Sequence, residues 1–203
     1  MTPHITIFYE EDFSKSIFDE FVDTLSSDNL SIQVLSREKS GPFAGVEWLL
    51  PTAVIAYISK SYFDGFLNEM GKDHYNIVKK GFLSLKENLV GSNAPKINLV
   101  TSSFSKNKVN NENPYSFVFS IMSDANDNKK FKLLIKKDIS DDEYNKTIDS
   151  FLEFLQKYHN ETLNDEIRAE IKQNTFANTT LVAFNPKTNE LIFVNPIPQR
   201  KKV

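Results

Sequence analysis

A chain of 203 residues, 40% hydrophobic and 25% charged, is long enough for one large domain or two small ones. Its 24 Lys+Arg against 27 Asp+Glu leave a net charge of -3, which argues against a protein that coats nucleic acid by neutralising phosphates. The lack of cysteine excludes disulfides, thiolate catalysis and cysteine-ligated zinc. No apolar run approaches the roughly 20 residues of a membrane-spanning helix. Met1-Thr2-Pro3-His4 lacks the basic and then hydrophobic character of a secretory leader. The expectation is a cytoplasmic protein with neither nucleic acid nor membrane as a partner.

Residues 4–9 read as a strand, with Ile5, Ile7 and Tyr9 alternating with Thr6 and Phe8 so that both faces can be buried. Phe13, Ile17, Phe21 and Leu25 then recur every four residues, which predicts an amphipathic helix with Asp12 as its N-cap. Ser26-Ser27-Asp28-Asn29 breaks that helix, and Leu30, Ile32 and Val34 alternate as a second strand. After the turn signal Ser40-Gly41-Pro42, a short helix is expected from Val46 to Leu50. Trp48, the sole Trp, reads either as partly buried core or as an exposed anchor for a partner.

The unbroken apolar run Val54-Ile55-Ala56-Tyr57-Ile58 suits a strand buried on both sides. Ser61 and Asp64 open a helix carrying Phe63, Phe66, Leu67 and Met70, Gly71 permits a break, and Ile77 to Leu89 form a second helical stretch. Ile97-Asn98-Leu99-Val100 reads as another strand. Strand and helix alternate throughout residues 4–101, the pattern of a parallel sheet with helices on both sides, three layers in all.

Residues 102–114 are polar and read as a linker. Beyond it, 116–122 and 131–135 pair as a hairpin, and Ser140 with Glu143 makes a capping box. The long helix it opens presents Ile148, Phe151, Leu152, Leu155 and Tyr158, with a kink near Asn160 before Ile167 and Ile171. A last hairpin joins 181–184 to 191–194. The organisation expected is an α/β domain over residues 1–104, a flavodoxin-like parallel sheet with flanking helices. An α+β extension of hairpin, long helix and hairpin follows over 114–203, on its own or continuing the same sheet.

Familiar site types are missing. Neither glycine-rich phosphate cradle occurs, no G-x-S-x-G elbow is present, and His4, His74 and His159 lack the spacing of a metal site. The acidic run from Asp138 to Glu143 lies at a helix start, where the helix dipole favours negative charge. The basic Arg200-Lys201-Lys202 reads as a solvated end. What remains is the set of residues following the strands, because open parallel sheets collect ligands outside the carboxyl ends of their strands. Those residues are Tyr9 to Asp12, Ser36 to Lys39 and Ser59 to Tyr62, with Glu69 further along the next helix. A carboxylate among hydroxyls and rings could grip a ribose and stabilise an oxocarbenium-like state. The alternative is that Glu69 is a solvated helix residue and Tyr62 a packing residue.

Ile7-Phe8-Tyr9-Glu10-Glu11-Asp12, the helix with Phe21-Val22-x-x-Leu25, and the strand Ile32-Gln33-Val34 together resemble the start of a Toll/interleukin-1 receptor (TIR) domain. Val54 to Ser59, followed by Lys60-Ser61-Tyr62, is similar to that family's third strand and its Ser-x-x-Tyr turn. The resemblance covers residues 4–72 and places Glu69 near the glutamate that, in enzymatic members, supports cleavage of the nicotinamide–ribose bond of NAD. It implies Glu69 as the catalytic residue, Phe8, Tyr9, Ser59 and Tyr62 as ligand-binding residues, and NAD as substrate, with no resident cofactor and no metal. Two functions are therefore expected. One is an intracellular TIR-like signalling or immunity protein that binds or cleaves a nicotinamide nucleotide. The other is a non-catalytic interaction module working through a protein partner or self-association.

Overall fold

The computed structural model describes residues 2–26, 30–39, 52–66, 71–91, 94–95 and 113–196. Eight strands form one sheet: β1 (Ile5–Glu10), β2 (Ile32–Arg37), β3 (Val54–Ile58), β4 (Tyr115–Asp124), β5 (Lys130–Lys136), β6 (Thr175–Phe176), β7 (Thr179–Asn185) and β8 (Glu190–Val194). Five helices accompany them: α1 (Asp19–Leu25), entered through a 3-10 turn at Lys15–Phe18, α2 (Lys60–Phe66), α3 (Gly71–Leu89), α4 (Asp141–His159) and α5 (Asp165–Asn174). The spatial order is β2-β1-β3-β4-β5-β7-β6, with β8 also on β7. Both hairpins expected in the second half therefore extend the sheet begun by the first.

The fold is α/β, but the sheet is mixed where the alternation predicts a parallel one. β1 runs parallel to β2 and antiparallel to β3, pairing Ile5 with Ile58 and Tyr9 with Val54. β3 is parallel to β4, β4 antiparallel to β5, and β5 parallel to β7. Alternation of apolar residues fixes which side chains share a face and is blind to strand direction. The loops between strands decide direction.

All five described helices contribute to one apolar core with Ile5, Ile7, Val54, Ala56, Ile58, Phe119, Ile121, Phe131 and Leu133 from a single sheet face. Among the described residues the molecule has two layers, not three. Phe21 and Leu25, four residues apart, are fully buried as that spacing requires, and Phe18 joins them from the 3-10 turn. Asp12 is not the cap expected. The 3-10 turn starts at Lys15 with Ser14 in the cap position, and Asp12 forms an ion pair with Lys39 instead. The capping box does form: Ser140 Oγ accepts the Glu143 N–H at 3.2 Å, and the Tyr144 hydroxyl, buried in the core, donates to the Phe82 carbonyl at 2.8 Å, tying α4 to α3. Near Asn160 the chain stops rather than kinks. Glu161 adopts φ +57°, and Asn164 caps a new helix by accepting the Ile167 N–H at 2.8 Å. No described helix is long and apolar enough to cross a membrane.

The expected short helix at 46–50 with Trp48, the strand at 97–100, the linker residues 102–112 and the basic tail 200–202 lie outside the described residues.

Candidate functional site

The antiparallel β1–β3 pair separates the residues that a parallel sheet would gather. The carboxyl ends of β1 and β2 share one edge. There Arg37 Nη2 donates to the Thr52 carbonyl at 2.5 Å, and its guanidinium lies 3.8 Å from the Glu10 carboxylate. Ser59, following β3, emerges at the opposite edge beside His4. Five residue steps along β1 put the two edges about 17 Å apart. Ser59 Oγ donates to the Pro3 carbonyl at 2.7 Å and sits 2.6 Å from Ser61 Oγ, so it fastens the N-terminal segment to the end of β3.

The sheet faces divide the set again. Tyr9 is buried against Phe18, ring centroids 5.1 Å apart, and Tyr62 is buried edge-on to Phe63 at 5.1 Å. Both belong to the core under the helices, and burial pushes the Tyr62 hydroxyl up to about 12. The odd positions of β1 and the inner side of α2 face the helices, so both rings of the expected ligand-binding pair pack in the core. Phe8 and Ser59 instead line a trough of about 420 Å³ on the face that no described helix covers. Glu69 lies outside the described residues, as do Leu67 and Met70.

The trough follows from the other half of the alternation. Gln33, Thr6, Tyr57 and Met122 stand side by side across β2, β1, β3 and β4, and Leu35, Phe8 and Ile55 form the next row. Phe8 meets Tyr57 edge-on, centroids 6.3 Å apart at 77°. At one end Asp124 stands opposite Lys130. The Asp124 carboxylate accepts the Tyr57 hydroxyl and the Lys60 backbone N–H, the latter at 2.8 Å. Burial first, then Asp124, raises the Tyr57 hydroxyl well above its usual range, so it stays a donor. Lys130 Nζ lies 5.2 Å from the Tyr57 ring centroid in a cation–π contact. Thr6 is only 6% exposed and lines the trough. An apolar floor with a few convergent polar groups is the usual make-up of a small-molecule site.

Thr6, Gln33, Tyr57, Asp124 and Lys130 were not among the residues expected from strand ends. The signal was present: Thr6-x-Phe8, Gln33-x-Leu35 and Ile55-x-Tyr57 each put a polar or aromatic residue on the side opposite the inward aliphatic residues of β1, β2 and β3. Behind Asp124, His159 stacks on Phe63 at 3.9 Å and 12° and approaches the Asp124 carbonyl at 3.2 Å. Among the described residues no group of three or more His, Asp or Glu side chains could hold a metal ion. No protein-family model matches this chain, and neither a curated protein nor a solved structure shows significant similarity to it.

Proposed function

We propose that this protein is a non-catalytic binding module that takes a small planar ligand in the trough on the sheet face away from the described helices. The observation that carries this reading is the antiparallel pairing of β1 with β3. It sends Glu10 and Ser59 to opposite edges, so the described strand ends do not converge on one crevice around a scissile bond. The residues that do converge, Phe8, Thr6, Gln33 and Tyr57, offer contact area and hydrogen bonds but no nucleophile poised beside a base. On this reading any kinship with TIR domains is one of recognition, with a nicotinamide nucleotide bound rather than cleaved.

Incubation with NAD and chromatographic measurement of free nicotinamide tests the reading. The expected result is release no faster than in a protein-free control. Steady release that Glu69→Gln abolishes would overturn it. Loss of preorganised charge at a cleavage site costs about 10²–10³ in rate, whereas replacing a solvated helix glutamate changes stability by under about 0.5 kcal/mol.

A further inference from the structure

We infer that the trough recognises a nucleoside monophosphate, with the base lying against Phe8 beside Thr6 and Gln33 and the phosphate on Lys130. The inference rests on the binding-module reading and narrows its ligand class. Three features carry it. First, Phe8, Leu35 and Ile55 form a continuous apolar and aromatic wall on neighbouring strands, and a flat ring can lie against such a surface whatever its substituents.

Second, the row beside that wall reads an edge. The Gln33 amide carries both donors and an acceptor, and the Thr6 hydroxyl can do either. These two residues are direct neighbours across β1 and β2. Thr6 is largely buried in the lining of the trough. A hydrocarbon chain would bury that hydroxyl unmatched, which is unfavourable. A heterocycle with ring nitrogens and exocyclic groups would satisfy it.

Third, a cation waits at the right remove. Lys130 reaches from β5 over Tyr57, its Nζ 5.2 Å from that ring, and Tyr57 is the direct cross-strand partner of Thr6. Lys130 and Thr6 thus both adjoin Tyr57, and in a mononucleotide a sugar separates the base from the phosphate. Among the described residues no carboxylate forms an ion pair with Lys130. The Asp124 carboxylate, which would repel an anion, is turned to the Tyr57 hydroxyl and the Lys60 N–H. That leaves the lysine as the anion's partner.

Calorimetric titration of the full chain decides the matter, using nicotinamide mononucleotide and adenosine monophosphate, their nucleosides, inorganic phosphate, benzoate and laurate. The expected result is saturable 1:1 binding of the mononucleotides, about tenfold weaker binding of the nucleosides, and none of inorganic phosphate. Lys130→Gln should remove the advantage of the mononucleotide and leave the nucleoside unchanged. Thr6→Val, which keeps the shape, should weaken both equally. No saturable binding of a mononucleotide would overturn the inference, as would equal binding of mononucleotide and nucleoside, or indifference to Lys130→Gln. Binding of benzoate or laurate that Phe8→Ala abolishes, with mononucleotides silent, would reject the nucleotide and leave the binding module standing. The module itself fails on nicotinamide release, a separate readout.

Discussion

Lys132 is 4% exposed on the side of β5 away from the described helices, opposite Met122 and Leu181 on the adjoining strands. Burial, and then the positive charge of Arg37, pull its ammonium from 10.5 to about 8. Because the unfolded chain holds that proton more tightly, stability must rise as pH climbs from about 8 to 10.5 and must be lost as pH falls back through 8. The gap between 10.5 and about 8, at about 1.4 kcal/mol per pH unit, corresponds to about 3 kcal/mol. Lys132→Met keeps the length and apolar stem of the side chain and removes the charge. The stability of the variant relative to the parent should therefore be about 3 kcal/mol more favourable at pH 7 than at pH 10.5. Urea unfolding followed by circular dichroism at pH 7, 8, 9, 10 and 10.5 measures that difference directly, with the other titrating groups cancelling between the two proteins. Two stability curves running parallel across that range would refute the argument. Lys132 would then hold its proton as firmly folded as unfolded.

Gly81 lies where α3 meets α1, and a Cβ there would fall 2.8 Å from Leu25 Cδ1 and 3.3 Å from Phe21 Cδ2. Gly81→Ala should therefore destabilise by about 1–2 kcal/mol in chemical unfolding despite the helix preference of alanine; an increase in stability would show that the two helices part easily. Tyr144→Phe should cost about 1 kcal/mol through loss of the bond to the Phe82 carbonyl, read by the same assay. His4 and His159 are both held below the usual histidine value of 6.5, chiefly by burial. Stability should therefore be full above about pH 6.5 and fall as pH drops below it. His159 faces Phe63, Tyr158, Lys60, Asp64 and Asp124, and His4 Nδ1 accepts the Ser31 N–H at 3.1 Å, a bond that a proton on that nitrogen would displace. His159→Gln should flatten part of the slope in melting temperature between pH 7 and 5, and an unchanged slope would assign the acid sensitivity elsewhere.

Much of the architecture was legible because it is local. The four-residue recurrence of Phe21 and Leu25, the Ser140–Glu143 box, and the alternation in 131–135 and 181–184 each depend on a few adjacent residues, and each stands in the fold. Strand direction is not local. Ile5, Ile7 and Tyr9 pack inward whether β3 runs with β1 or against it, so alternation of strands and helices suggested a parallel sheet that the β1–β3 register does not follow. The two-residue β6 was invisible for another reason. Its hairpin turns through Ala177 and Asn178, with φ of +47° and +60°, and alanine gives no warning of such a turn. The candidate site suffered from the same blindness to direction. Reasoning from strand ends selected Tyr9 and Tyr62, which the helices bury. Following the outward residues Thr6, Phe8 and Gln33 along their strands leads to the trough.

The central claim is that ligand recognition resides on the sheet face away from the described helices and not at the strand ends. Amide chemical-shift mapping of the isotopically labelled protein, titrated with nicotinamide mononucleotide, tests it most directly. Perturbations should cluster at Thr6, Phe8, Gln33, Tyr57 and Lys130, which lie on four strands scattered in sequence and line one trough. Perturbations centred on Tyr62 and Glu69, with those five amides unmoved, would contradict the claim.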